Sequence, residues 1–182
     1  FSLVLSAAGA DSGLKLTNET VIQLYDNNGT IEGRAGGEND PLAFDIKIDG
    51  TTGEVTLTQY LSLYHPDTDD PNDSVQLKNG LITAKVTVTD ADGDKAVADV
   101  DVGALFTFYD DGPTAALDLV DNASISVDET ADDDDVTGAL GQATADLVTS
   151  AASVYGADGA GTTAFSLVLS AAGADSGLKL TN

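Results

Sequence analysis

Apolar and polar residues alternate in short runs along this chain, and Gly, Asn and Asp bound the runs. In Phe44-Asp45-Ile46-Lys47-Ile48 every second side chain is apolar, the period of a strand with one buried face. The same reading predicts strands near residues 2–6, 14–17, 21–25, 30–33, 43–48, 54–60, 82–89, 96–102, 105–108, 115–120 and 124–127. Three hairpins are expected. They turn at Asp26-Asn27-Asn28-Gly29, at residues 49–53, and at Asp90-Ala91-Asp92-Gly93-Asp94, where Asn, Asp and Gly accept the backbone angles a tight turn needs. Helical periodicity is almost absent; one short helix is expected within residues 139–153. The pattern predicts an all-β protein, an antiparallel β-sandwich of Ig-like or cadherin-like type.

Two segments interrupt the rhythm: a polar, Pro-bearing loop over residues 65–73, and an acidic run over residues 132–135 followed by Gly- and Ala-rich sequence. Asp110-Asp111-Gly112-Pro113 reads as a linker, because Pro donates no ladder hydrogen bond.

The chain also repeats itself. Residues 1–18 read FSLVLSAAGADSGLKLTN, and residues 165–182 read the same, letter for letter, with a period of 165 − 1 = 164 residues. Chance does not produce identity through the turn residues as well as the strand residues. Residues 1–113 are read as the C-terminal major part of one repeat and 114–182 as the N-terminal part of the next. On this reading residues 1–113 lack their opening strands, which the segment 114–163 supplies in an array. Arrays of this kind serve as spacers, scaffolds or multivalent binders.

Charge narrows the chemistry. The chain carries 31 acidic and 7 basic residues, a net charge of −24. Such a surface repels nucleic acid and anionic membranes, and it repels itself unless salt or bound cations intervene. With no Cys and a single His, His65, a zinc site of the usual kind is nearly excluded. Oxygen-rich, hard donors point to Ca2+ instead. No apolar run is long enough to span a membrane.

Asp90, Asp92 and Asp94 place three carboxylates in one tight turn, the first candidate calcium site; a plain solvated turn is the alternative. It is not an EF-hand, since Gly falls at the fourth position. Asp110 and Asp111 at the linker, with Asp128 and Glu129 beyond it, could lock two neighbouring units through a shared ion. Asp67, Asp69, Asp70 and Asp73, and the run 132–135, are read as solvated charge first. His65 has no nucleophile motif to serve, so no enzyme is expected. Tyr25, Tyr60, Tyr64 and Tyr109 could stack on a sugar, though packing is the simpler reading.

The segments LTQYLSLYHPDTDDPNDSV, GLITAKVTVTDADGDKA and FYDDGPTA, with GADSGLKL and IEGRAGG, resemble the long repeat domain of giant type I-secreted RTX adhesins of Gram-negative bacteria. The resemblance covers most of residues 1–115; ISVDET also resembles the start of such domains. It implies a monomeric, calcium-stabilised extender repeat at the bacterial cell surface. Its partners would be neighbouring repeats of the same chain, and it would project a binding tip for attachment and biofilm formation. A glycan- or protein-binding module of the same adhesin is the alternative. The glycine-rich nonapeptide calcium repeats that name the class are absent, so the calcium argument rests on the carboxylate clusters.

Overall fold

The computed structural model describes residues 1–128 and 141–180. In chain order the strands are β1 (Ser2–Leu5), β2 (Ala10–Lys15), β3 (Val21–Asn27), β4 (Thr30–Ala35), β5 (Leu42–Ile48), β6 (Val55–Gln59) and β7 (Ser74–Gln76). They continue with β8 (Ile82–Thr89), β9 (Lys95–Asp101), β10 (Thr107–Tyr109), β11 (Asp118–Leu119) and β12 (Val148–Thr149); a 3-10 turn (Gly103–Leu105) precedes β10. The protein is all-β, as the alternation predicts. Strands β2 to β6 form a five-stranded up-and-down sheet, faced by a three-stranded sheet in the order β1-β8-β9. Two small antiparallel pairs, β7-β10 and β11-β12, complete it. Among the described residues no helix is long and apolar enough to cross a membrane.

Alternation builds the core. Ile22 and Leu24 of β3, Ile31 of β4, and Phe44 and Ile46 of β5 point at Leu3 of β1 and Ile82 of β8. Leu14, Leu63, Leu77, Phe106 and Phe108 fill the same cluster. Each such side chain contributes about 1.5–3 kcal/mol on burial. Asp45, between two core residues, is also buried; its carboxylate accepts hydrogen bonds from Lys47 Nζ and Tyr60 OH, both at 3.0 Å. The buried core runs from Leu3 to Phe108, and most described residues beyond 113 are exposed.

The sandwich has two distinct ends. The amino group of Phe1 donates to the Gly50 carbonyl at 2.6 Å, so β1 starts beside the β5–β6 turn. Ser2 pairs with Lys85, so β8 runs toward that end and carries the 90–94 turn beyond it. At the opposite end Tyr60 N–H donates to the Ala43 carbonyl at 2.7 Å, and Leu16 bridges to Leu63. There the 65–73 loop and residues 110–113 gather.

Several elements differ from expectation for identifiable reasons. The second strand begins at Ala10, inside AAGADSG, and a bulge centred near Gly13 admits it. Gly13 has φ +88°, and buried Ser12 completes the bulge: its hydroxyl donates to the Ile22 carbonyl at 2.6 Å and accepts from Leu14 N–H at 3.0 Å. Strand β7 is only three residues long and forms because β10 pairs with it. Residues 141–153 contain no helix; Val148 and Thr149, both β-branched, pair instead with Leu119 and Asp118. Residues 139 and 140 lie outside the described residues. Residues 124–127 form no strand, and of 115–120 only Asp118–Leu119 does.

Candidate metal centre and the linker end

The β8–β9 turn brings Asp90, Asp92 and Asp94 together, each offering a carboxylate oxygen within 4.8 Å of the others. The turn is local in origin. Asp90 N–H donates to the Asp94 carbonyl at 3.0 Å, and Asp90 Oδ1 accepts from Gly93 N–H at 3.0 Å and Asp94 N–H at 2.8 Å. Gly93 sits at φ +100°, a conformation L side chains rarely adopt. Asp90 is held below the ordinary carboxylate range, chiefly by its side-chain hydrogen bond with Asp92, and further by the amides of Asp94 and Gly93. Carboxylate oxygens this close together are placed to share a cation. The donor set is all oxygen, which fits Ca2+. The turn is exposed, so it supplies only part of a shell of about six to eight oxygens.

Asp110 and Asp111 lie at the other end of the sandwich and do not join that cluster. Asp110 N–H donates to the Asp73 carbonyl at 2.9 Å, Asp111 N–H to Asp110 Oδ1 at 2.8 Å, and Gly112 N–H to the Pro71 carbonyl at 3.0 Å. The linker is therefore strapped to the 65–73 loop by its own backbone. That loop uses its carboxylates as turn acceptors: Asp73 Oδ2 for Asp67 N–H, Asp67 Oδ1 for Asp69 N–H, and Asp70 Oδ1 for Asn72 N–H. His65 Nδ1 lies 2.8 Å from Asp73 Oδ1 with both side chains largely buried, which places the imidazole within the fold.

A groove of about 410 Å³ opens beside the linker, lined by Tyr60, Tyr109, Asp110 and Asp111 from one side and Ala157 and Asp158 from the other. Ser62 Oγ donates to the Ala157 carbonyl at 2.8 Å and ties the two sides together. Across from the linker, the residue brought up by the second unit is thus Asp158. Sequence reasoning passed over it, although Asp158-Gly159 is a turn signal. Asp128 and Glu129 were the expected contributors. Asp128 does not line this groove, and Glu129, with the run 132–135, lies outside the described residues. Of the tyrosines, Tyr60 and Tyr109 border the groove and Tyr64 a neighbouring one; Tyr25 is elsewhere, its OH donating to Gln23 Oε1 at 2.8 Å.

Among known protein families, one matches residues 1–103 and 124–182, leaving out the stretch that holds the linker. No curated protein and no solved structure matches the chain. Matched over most of its length, the chain belongs to the family described as Domain of unknown function (DUF5801).

Proposed function

We propose that the chain is a calcium-stabilised extender: one β-sandwich of an extracellular tandem array, with no catalytic role, that holds a binding tip away from a bacterial cell. The observation that carries this reading is the 164-residue repeat, identical through its first 18 residues. A spacer gains length by copying itself, whereas a tip domain usually occurs once. The positions of the carboxylates support it. One cluster, Asp90, Asp92 and Asp94, sits at one end of the sandwich, and Asp110 and Asp111 sit at the other, so stacked units would meet acid to acid. A bound cation at such a joint cancels the repulsion and adds to the stiffness that the Asp73 and Pro71 hydrogen bonds already provide.

Small-angle scattering on a chain of several repeats tests the reading. Calcium should raise the radius of gyration and maximum dimension toward a rod, and Asp110→Ala with Asp111→Ala should remove that response while each unit stays folded. Equal dimensions in calcium and in chelator would refute a calcium-stiffened joint. The groove between Tyr60, Tyr109 and Asp158 favours a second reading, a glycan- or protein-binding module. Tyr109→Ala, tested on a glycan and peptide panel, separates the two: ligand capture lost with that ring would favour the second.

A further inference from the structure

The groove beside the linker is built entirely from residues between Gln59 and Asp158. Its walls are tied together. Ser62 Oγ donates to the Ala157 carbonyl at 2.8 Å, and Gly156 lies so close to the Asp111 carbonyl that a Cβ there would overlap it. The amides of Asp110 and Gly112 hold the linker to Asp73 and Pro71. Two exposed rings, Tyr60 and Tyr109, stand beside Asp110 and Asp111, with Asp158 across from them. Among the described residues no Lys or Arg lines the groove.

What this groove offers a ligand is one-sided. Gln59 Nε2 already donates to the Leu61 carbonyl at 3.0 Å, Ser62 Oγ to Ala157, and Tyr60 OH to Asp45 Oδ2 at 3.0 Å. Those donors are spent within the protein. Carboxylate oxygen and aromatic ring remain, and the carboxylates of Asp111 and Asp158 accept no hydrogen bond from a described residue. We propose that the groove binds an exposed arginine of a partner polypeptide. Its guanidinium stacks on Tyr60 and Tyr109 and donates to Asp111 and Asp158.

The chemistry selects this occupant over others. A sugar hydroxyl both donates and accepts, and against spent donors its acceptor side goes unmet. A hydrated metal ion makes no use of the rings. An ammonium is compact and strongly hydrated, whereas a guanidinium is planar, stacks on aromatic rings and donates two parallel bonds to a carboxylate. The groove's volume, about 410 Å³, falls within the about 300–1,000 Å³ of ligand sites, so it admits the side chain with part of its flanking peptide. Walls tied in advance lose little freedom on binding, and a net charge of −24 draws a basic partner in. The proposal rests on the groove being a binding site, the second reading above, and names its ligand; it needs neither calcium nor an extender role.

Amide NMR titration of the whole chain in chelator tests it. The probe is a blocked Gly-Arg-Gly peptide, and its citrulline counterpart is the neutral isostere. The arginine peptide should move the amides of residues 59–62, 109–111 and 157–158, and the citrulline peptide should bind at least about tenfold more weakly. Tyr109→Ala should weaken the arginine peptide by about three- to tenfold, and Asp111→Asn with Asp158→Asn by about tenfold or more. Glu54→Gln with Asp99→Asn removes the same charge from exposed positions outside the groove, and should change affinity by less than about twofold. No movement of those amides up to about 10 mM peptide, equal binding of citrulline, or an equal loss with the Glu54 and Asp99 pair would each overturn the proposal. A neutral sugar that moves the same amides while the arginine peptide does not also overturns it, but leaves a glycan-binding module standing. Silence from sugars and peptides alike removes the second reading with it.

Discussion

Replacing Gly33 by alanine isolates a steric term against a backbone term of opposite sign. Gly33 of β4 lies directly across from Phe44 of β5, and the Phe44 ring lies over it. A Cβ at position 33 would overlap that ring, whose Cδ1 would be 2.8 Å away. The ring has no free direction: Phe44 is fully buried, and Phe108 packs on it with centroids 4.9 Å apart. Position 33 has an ordinary negative φ, so alanine brings no backbone strain and gains about 0.5–1 kcal/mol over glycine in a strand interior. Forcing a methyl into a packed core costs about 1–3 kcal/mol. The steric term wins, and Gly33→Ala should destabilise by about 1–2 kcal/mol. With a urea slope of about 1–3 kcal/mol/M, the unfolding midpoint falls by roughly 0.3–2 M. Phe44→Leu removes the ring edge that the methyl strikes. In a double-mutant cycle the pair should therefore cost less than the sum of the two single changes, by about 1 kcal/mol or more. A midpoint for Gly33→Ala at or above that of the native chain, or strict additivity, would refute the reasoning.

Three further outcomes are expected. Calcium at 100-fold excess over its dissociation constant should raise unfolding stability by about 2.7 kcal/mol per site, and Asp92→Asn should remove the increment from the 90–94 turn; thermal melts in calcium and in chelator read both. Asp49 is held below its ordinary range by the amides of Thr52 and Thr51, so its contribution is present above about pH 3.9 and lost as pH falls through the lower folded value. Urea midpoints of native and Asp49→Asn chains should therefore differ near neutral pH and converge in acid; a gap that widens in acid contradicts this sign. Ester, peptide and glycoside panels should show no turnover that His65→Ala abolishes, because that imidazole sits on Asp73 inside the fold.

The features that were legible in the sequence are the ones set by local pattern. The alternation in residues 44–48 foretold β5 and the core positions Phe44 and Ile46, and Asp90 to Asp94 foretold both a hairpin and a carboxylate cluster. What escaped depends on distant partners. Ala10-Asp11-Ser12-Gly13 reads as a turn because Ser and Gly are turn formers; only the Ile22 carbonyl across the sheet turns Ser12 into a strand residue. Ser74–Gln76 is too short to announce itself without β10. Nothing local says that Asp94 and Asp110 lie at opposite ends, or that Asp158 rather than Asp128 faces the linker groove.

The placement of the two ends has a mechanical consequence. Strand β1 starts beside the β5–β6 turn, and β10 runs out to Asp110 at the far end. Tension drawn between those points pulls β1 along its own axis against β8, and β10 along its axis against β7. Antiparallel hydrogen bonds lie across the strands, so this load stretches every rung of a ladder together rather than one after another. A sandwich entered and left at the same end would unzip under the same force. This one is loaded in shear, and its resistance grows with each rung added to β1, which sets the register between Ser2 and Leu5 as the place where pulling meets its first barrier.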